Sequence, residues 1–364
     1  MFILLFFILV IIVAVYLFMN SARFGKTASG DRLMQIESSP NFQYGRFQNV
    51  HDTPALTEGT SYFKILKDFF LNNGNQKIPP AALPHIKTDL LKTDPDQNIL
   101  VWFGHSSYFL QIDGKKILVD PVFSGNASPL RFTTRSFKGS DIYTSDDMPL
   151  IDYLFLTHDH WDHLDYKTII ALKPKVKKVI TSLGVGAHLE YWGYNKNIMD
   201  ERDWNAELIL GKGFKVNTVS ARHFSGRGFK RNGSLWMSFV LSTPTMQIFI
   251  GGDSGYDQHF EEIGNKFGPF DLVILENGQY DRNWKYIHMM PEETVQAAID
   301  LKAKRLLPVH WAKFSLSVHA WDEPIRRLKK EATARNMILI HPKIGETVLL
   351  NQNQVFHDWW ESIQ

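Results

Sequence analysis

The chain reads as an α/β protein in which two strand-rich halves pack face to face beneath outer helices, preceded by one membrane-spanning helix. Three observations carry this reading. Short apolar runs of strand length recur from Ile99 to His341, many with helical patterns between them. Gly, Pro, Asn and Asp punctuate the chain between these runs. Phe2 to Met19 is apolar or aromatic without interruption, about enough helix to cross a hydrocarbon core of ~30 Å. The divisions that follow are a transmembrane anchor over 1–20, an approach segment over 21–95, a main folded domain over 96–352 and a tail over 353–364.

Composition bounds the rest. With 364 residues, 44% of them hydrophobic, the chain can bury a large core. The 40 basic and 38 acidic residues leave a net charge of +2, which argues against nucleic acid as a partner. There is no cysteine, so disulfides and thiolate ligands are excluded and any metal must be held by nitrogen and oxygen.

The N-terminal run has no basic residue before it and no small-residue cleavage pattern after it, which favours a retained anchor over a signal peptide. Arg23, Lys26 and Arg32 follow the run, so the positive-inside rule places the catalytic part on the cytoplasmic side. Tyr62, Ile65, Leu66 and Phe69 fall at helical spacing and predict an amphipathic helix in the approach segment. Strands are predicted over Ile99–Phe103, Tyr108–Ile112 and Ile117–Val119, the last two joined by the turn Asp113-Gly114. A long loop, Phe123 to Met148, precedes the strand Tyr153–Thr157 and the Asp-capped helix Asp165–Leu172. Lys178–Ser182, Leu208–Leu210 and Phe214–Ser220 read as strands, with a helix over Gly184–Tyr191. The second half offers the strands Trp236–Leu241, Met246–Ile250, Leu272–Leu275, Arg305–Val309 and Met337–His341. Its helices are Pro291–Lys302, which opens with Pro and two glutamates, and Glu323–Ala334.

The chemistry concentrates at strand ends. Leu154 to Asp165 reads LFLTHDHWDHLD, an apolar strand running into a His-x-His-x-Asp-His turn that presents imidazoles and carboxylate at the edge of a rigid sheet. His158 and His160 can face one metal position and Asp162 and His163 another, and both ligand types bind zinc. Taken alone, His223 and His310 would read as structural histidines; beside this motif they complete a set of strand-end ligands with Asp253. Five histidines and two carboxylates suit two ions. His158, His160 and His223 would hold one, Asp162, His163 and His310 the other, with Asp253 between them.

THDHWDHLD, together with Trp102–Ser107, Ile117–Phe123, Arg222–Gly228, Gly251–Tyr256, Ile287–Glu293 and Pro308–Trp311, resembles the metallo-β-lactamase superfamily. Within it, these segments look like the branch of N-acylphosphatidylethanolamine-hydrolysing phospholipase D. The resemblance implies an αββα sandwich with two zinc ions per chain. It further implies Asp120 and His105 behind the ligands, Asp162 and His288 as catalytic residues, and Arg227 and Tyr256 at the substrate. The implied activity is cleavage of N-acylphosphatidylethanolamine-type phospholipids to N-acylethanolamine and phosphatidate by a membrane-anchored zinc phosphodiesterase. Its partners would be a phospholipid substrate and the membrane; protein partners are not legible, and a homodimer stays open. Two rival readings remain: another hydrolase of the superfamily, such as a lactonase or a soluble phosphate-ester hydrolase, and a non-catalytic membrane scaffold containing zinc. One scaffold supports many chemistries.

Overall fold

The computed structural model describes residues 2–61, 63, 65, 67 and 76–363. Tyr62, Leu66 and Phe69, and with them the predicted amphipathic helix, lie outside the described residues. Helix α1, Phe2–Met19, has none of its residues buried and a mean hydropathy of 3.3; among the described residues it alone is long and apolar enough to cross a membrane. A short helix α2, Asp31–Glu37, and a two-stranded ribbon of β1, Phe42–Gln43, and β2, Arg46–Phe47, follow it.

The body holds two seven-stranded sheets. In the first, β3 (Ile99–Trp102), β4 (Tyr108–Ile112) and β5 (Lys115–Val119) run antiparallel. They are continued in parallel by β6 (Tyr153–Leu156), β7 (Val179–Ser182) and β8 (Met199–Arg202). Asp113 and Gly114 form the two-residue turn between β4 and β5, both at positive φ (47° and 73°), the conformation that such a hairpin demands. The second sheet repeats the pattern. β9 (Glu207–Gly211), β10 (Phe214–Val219), β11 (Ser238–Ser242) and β12 (Gln247–Ile250) are antiparallel. β13 (Leu272–Glu276), β14 (Arg305–Val309) and β15 (Ile338–Leu339) extend it in parallel. The final strand β16, Thr347–Leu349, returns to pair with β3 in the first sheet.

Side chains alternate across each strand, and here both faces of the first sheet are buried. Leu100, Trp102, Leu110 and Phe155 face the second sheet, where the Phe155 and Phe239 rings meet edge to face at 5.0 Å. Ile99, Val101, Phe109 and Leu154 face outward, onto Ile169 and Leu172 of α3 (Tyr166–Leu172) and Leu189 of α4 (Val185–Tyr191). Phe260 of α5 (His259–Phe267), Val295 of α6 (Pro291–Asp300) and Leu328 of α7 (Glu323–Ala334) join the core built on the second sheet. The result is the αββα layering.

Several elements were not anticipated. β8 reads Met-Asp-Glu-Arg, a polar edge strand that carries no apolar signal. α5 runs unbroken through Gly264, where a Cβ would lie 1.9 Å from the Asp300 carbonyl oxygen, so close packing on α6 required a residue that weakens the helical pattern. The strand predicted over Met337–His341 pairs only at Ile338 and Leu339.

The segment after α1 is bound to the body rather than hanging free. Trp192 Nε1 donates to the Ala22 carbonyl at 2.7 Å, Arg227 Nη2 to the Arg23 carbonyl at 2.9 Å, and the Lys26 amide to His188 Nδ1 at 3.0 Å. The Phe24 ring meets Trp161, inside the histidine motif, at 5.1 Å.

Candidate metal centre

β6 ends at Leu156, and the chain turns as the amides of His163 and Leu164 both donate to the His160 carbonyl, at 3.1 and 2.8 Å. Asp159 holds this turn in place. Its carboxylate accepts from the Gly226 amide and from Ser234 Oγ, each at 2.7 Å, and faces His188 Nε2 at 3.2 Å. The turn's other polar side chains are left to converge with residues from the second sheet: His223 beyond β10, Asp253 beyond β12 and His310 directly after β14.

Around one position, His160 Nδ1 lies 2.9 Å from His158 Nε2 and 3.2 Å from His223 Nε2. Asp253 Oδ2 stands 3.8 and 3.7 Å from His158 Nε2 and His223 Nε2. Tetrahedral zinc, with bonds of about 2.0–2.1 Å, separates its donors by roughly 3.3 Å, within the spread seen here. Around a second position stand His105, Asp162, His163 and His310. Asp253 reaches this group too, with Oδ2 at 3.1 Å from His163 Nε2 and Oδ1 at 3.2 Å from His310 Nδ1.

Ring orientations are set from behind. His163 Nδ1 is bonded to Asp120 Oδ2 at 2.8 Å, and Asp120 also accepts from the Thr157 amide at 2.9 Å and from Thr157 Oγ1 at 2.6 Å. His223 Nδ1 donates to the Ile287 carbonyl at 2.9 Å, leaving Nε2 with its lone pair toward the cluster. His105 Nε2 bonds Asp162 Oδ2 at 2.8 Å, and Ser106 Oγ meets His310 Nδ1 at 2.9 Å.

The electrostatics favour a cation. Burial, together with neighbouring imidazoles, holds His158, His223 and His310 well below the usual histidine range. Burial brings His160 down to about 4. These rings are therefore neutral ligands at neutral pH. Burial opposes charging of His163, but Asp253, Asp162 and Asp120 together hold it well above its ordinary value. Burial pushes the Asp253 carboxyl up to about 6. Buried carboxylates with imidazoles as their neighbours call for a compensating positive charge. Two atoms that face the cluster, His163 Nε2 and Asp253 Oδ1, are buried without a properly directed hydrogen-bond partner, although His163 Nε2 is near enough to Asp253, and Asp253 Oδ1 to His310, for an ion pair; His160 Nε2 is also unpartnered, across the ring from the Nδ1 that faces His158 and His223. Nitrogen and oxygen donors left open at one point fit divalent metal.

The cluster opens into a cleft of about 280 Å³ lined by His160, Asp162, Asp253, His288, His310, Phe224 and Arg231, with Ala55, Leu56, Trp284, Ile287 and Leu316 on its apolar wall. His288 lies 5.0 Å from His223 and 5.2 Å from His310, ring to ring, and its Nδ1 meets Glu276 Oε2 at 2.5 Å. Glu276 is a residue that the sequence reading missed. It ends β13 as the ligands end or follow their strands, and burial drives its carboxyl well above the usual range. Ser106, two residues beyond the left-handed Gly104, was also missed.

Two residues expected at the substrate lie outside the lining of the cleft. Arg227 is buried, its Nη1 donates to the Asp159 and Leu164 carbonyls at 2.9 and 2.7 Å, and its guanidinium stacks 3.9 Å over Trp161. Tyr256 packs on Phe260 and donates its hydroxyl to Asp300 Oδ2 at 2.6 Å, outside the lining of the cleft.

Residues 115–311 match the beta-lactamase superfamily domain. The chain is 34% identical to an uncharacterized protein of Mycobacterium tuberculosis, over 93% of this chain and 92% of that one. It is 30% identical to N-acyl-phosphatidylethanolamine-hydrolyzing phospholipase D 1 of Caenorhabditis elegans, over 87% and 91%. Its fold is shared with Igni18, a metallo hydrolase from Ignicoccus hospitalis, at a TM-score of 0.54 and 19% identity, covering 69% of this chain and 97% of that one. With this fold, these strand-end donors and these relatives, the chain belongs to the metallo-β-lactamase superfamily as a metal-dependent hydrolase.

Proposed function

We propose that this chain hydrolyses N-acylphosphatidylethanolamine-type phospholipids to N-acylethanolamine and phosphatidate, using two zinc ions and anchored in a membrane by α1. The observation that carries the reading is the cleft. It places buried nitrogen and oxygen donors, a cation at Arg231 and an apolar wall of Leu56, Trp284, Ile287 and Leu316 side by side, as an amphiphilic phosphodiester requires. The relationship to the nematode phospholipase D points to the same substrate class.

His158, His160, His223 and Asp253 would hold one ion and Asp162, His163 and His310 the other, with Asp253 reaching both. Bound zinc makes a water nucleophilic at neutral pH and draws charge from the phosphoryl oxygens. The residues of the chain do the rest. Asp120 fixes the His163 ring, and His105 fixes Asp162. Glu276 occupies Nδ1 of His288, so the imidazole presents Nε2 to the cleft, where it passes a proton to the departing alkoxide. Water oxygen bonds to phosphorus as the bond from phosphorus to the ethanolamine oxygen breaks. The apolar wall and Arg231 hold the lipid so that this bond lies against the donors.

Hydrolysis in ¹⁸O-labelled water with mass spectrometry of both products tests the reading, run beside a lactone panel and with metal content measured on the same protein. Label in phosphatidate is expected. Label in the alcohol or in a released fatty acid, or turnover of lactones alone, transfers the chain to another superfamily activity. About two zinc ions per chain with no turnover of any substrate would leave the scaffold reading standing.

A further inference from the structure

The foot of α1 is flanked by two stretches, 129–132 and 228–231, that hold none of the proposed ligands. On one side Arg23 Nη1 donates to the Pro129 carbonyl at 2.7 Å, holding the loop that carries Arg131 and Phe132 against the helix end. On the other side Gly228 lies against Met19 and Phe24, where a Cβ would come within 3.4 and 3.9 Å of their side chains. Phe229 and Lys230 line a cavity of about 390 Å³ together with Met19, Asn20 and Phe24. Phe132 is 72% exposed and Phe229 88%, and the cations beside them, Arg131, Lys230 and Arg231, are exposed as well. The second loop also reaches the chemistry. The Arg231 guanidinium sits 4.9 Å over the Phe224 ring, Phe224 lies 4.4 Å from His160, and both Arg231 and Phe224 line the cleft.

Exposed aromatics beside cations, at the point where a fully apolar helix leaves the body, have the composition of a membrane interface, where rings sit at headgroup level and Lys or Arg meets anionic lipid. We propose that the loops around Phe132 and Phe229 form a lipid-contacting surface, with both rings in the interfacial layer and Arg131, Lys230 and Arg231 on anionic headgroups, and that the loop from Phe229 to Phe224 is the path by which lipid reaches the cleft. This rests on reading α1 as a membrane anchor. It gives the bound foot of α1 a use: hydrogen bonds from Trp192 and Arg227 keep the body against the bilayer in one pose, with the same loop edge always down.

The chain has no cysteine, so single thiols can be placed cleanly. Full-length Phe132→Cys, Phe229→Cys, Val10→Cys and Val355→Cys, each carrying an environment-sensitive fluorophore, are reconstituted in nanodiscs of phosphatidylcholine alone or mixed with phosphatidylglycerol. The discs contain lipid nitroxides at headgroup or deep acyl depth. Headgroup nitroxide should quench positions 132 and 229 about twofold or more, deep nitroxide should quench position 10, and position 355, 87% exposed in the tail, should be unaffected. Arg131→Gln with Lys230→Gln should reduce quenching at 229 in mixed discs and leave it unchanged in phosphatidylcholine. If positions 132 and 229 behave like 355 while 10 is quenched, the lipid surface is refuted and the anchor stands. If 10 is not quenched, the anchor reading falls and the proposal with it. Equal quenching in both lipids removes the role of the cations. Protection of 132 and 229 in detergent that grows with protein concentration, without lipid quenching, assigns the patch to a second copy of the chain. None of these readouts requires turnover, so they stand apart from the test of phospholipid hydrolysis.

Discussion

Replacing Asp120 by Asn changes one atom and inverts a hydrogen-bond relay. The carboxylate accepts three bonds, from the Thr157 amide at 2.9 Å, Thr157 Oγ1 at 2.6 Å and His163 Nδ1 at 2.8 Å. An asparagine can keep the amide bond through Oδ1, but its NH₂ then faces His163 Nδ1 as a donor. His163 must accept there and carry its proton on Nε2, the atom now turned toward Asp253 at 3.1 Å, and a protonated nitrogen cannot bind metal. Loss of such an orienting carboxylate costs about 10- to 100-fold in metal affinity, or roughly 1.4–2.8 kcal/mol. The loss should fall first on the ion held by His163, and less on the other, which Asp120 reaches only through Thr157 Oγ1, 3.0 Å from His158 Nδ1. Competition against a fluorescent zinc chelator should show the His163 site weakened by that factor and the other weakened less. Two sites of unchanged affinity in a folded Asp120→Asn protein would refute the relay.

His288→Ala should lower turnover by about 10²- to 10⁴-fold while bound metal, measured by mass spectrometry, stays the same; metal loss of similar size would make His288 a ligand instead. The metal-free chain should lose stability in mild acid. Burial holds His105, His160 and His259 at about 4 against an ordinary 6.5, so each takes up a proton on unfolding between those values. Stability then falls as pH drops from 6.5 toward 4, by at most about 1.4 kcal/mol per pH unit for each ring. His163, held high by its carboxylates despite burial, and Asp253 and Glu276, held high by burial, act in the opposite sense, and their contributions are lost as pH rises. Urea unfolding of chelator-treated protein should show a lower midpoint at about pH 5 than at about pH 7, and a higher one would contradict the burial argument. Gly264→Ala would set a Cβ 1.9 Å from the Asp300 carbonyl oxygen, so α5 and α6 must separate. A loss of about 1–3 kcal/mol is expected in denaturant titration, with metal stoichiometry kept.

Much of this arrangement was legible because the polar residues that matter follow apolar strands. His158, His160, Asp162 and His163 follow β6, and His223, Asp253 and His310 follow strands that periodicity could find. The helix Glu323–Ala334 was read to its ends, since its apolar spacing and N-terminal proline are local signals. What failed was decided by distant contacts. Nothing near Arg227 in the chain reveals that the Asp159 and Leu164 carbonyls and Trp161 surround its guanidinium; a basic, glycine-rich loop reads as solvated until the fold closes on it. Glu276 falls just past the predicted strand Leu272–Leu275 with no signal of its own, and the return of His288 and Met289, twelve and thirteen residues on, gives its carboxyl partners. β8 is held by pairing with β7 and by the contacts of Asp200 and Glu201 with Lys178, Arg32 and the Gly184 and Gly186 amides, and its four half-buried residues include one apolar side chain, too few for a pattern.

The donors come from both sheets, four from the turn after β6 and three from the far ends of β10, β12 and β14. No single sheet can gather them, so neither half should capture metal with full affinity before the two have docked. Metal loading is then a late event in biogenesis and a check on it: a polypeptide arrested with one sheet formed keeps scattered histidines and takes up ions only weakly. Measured metal per chain, normally a matter of cofactor supply, would thus report the fraction of molecules that completed assembly.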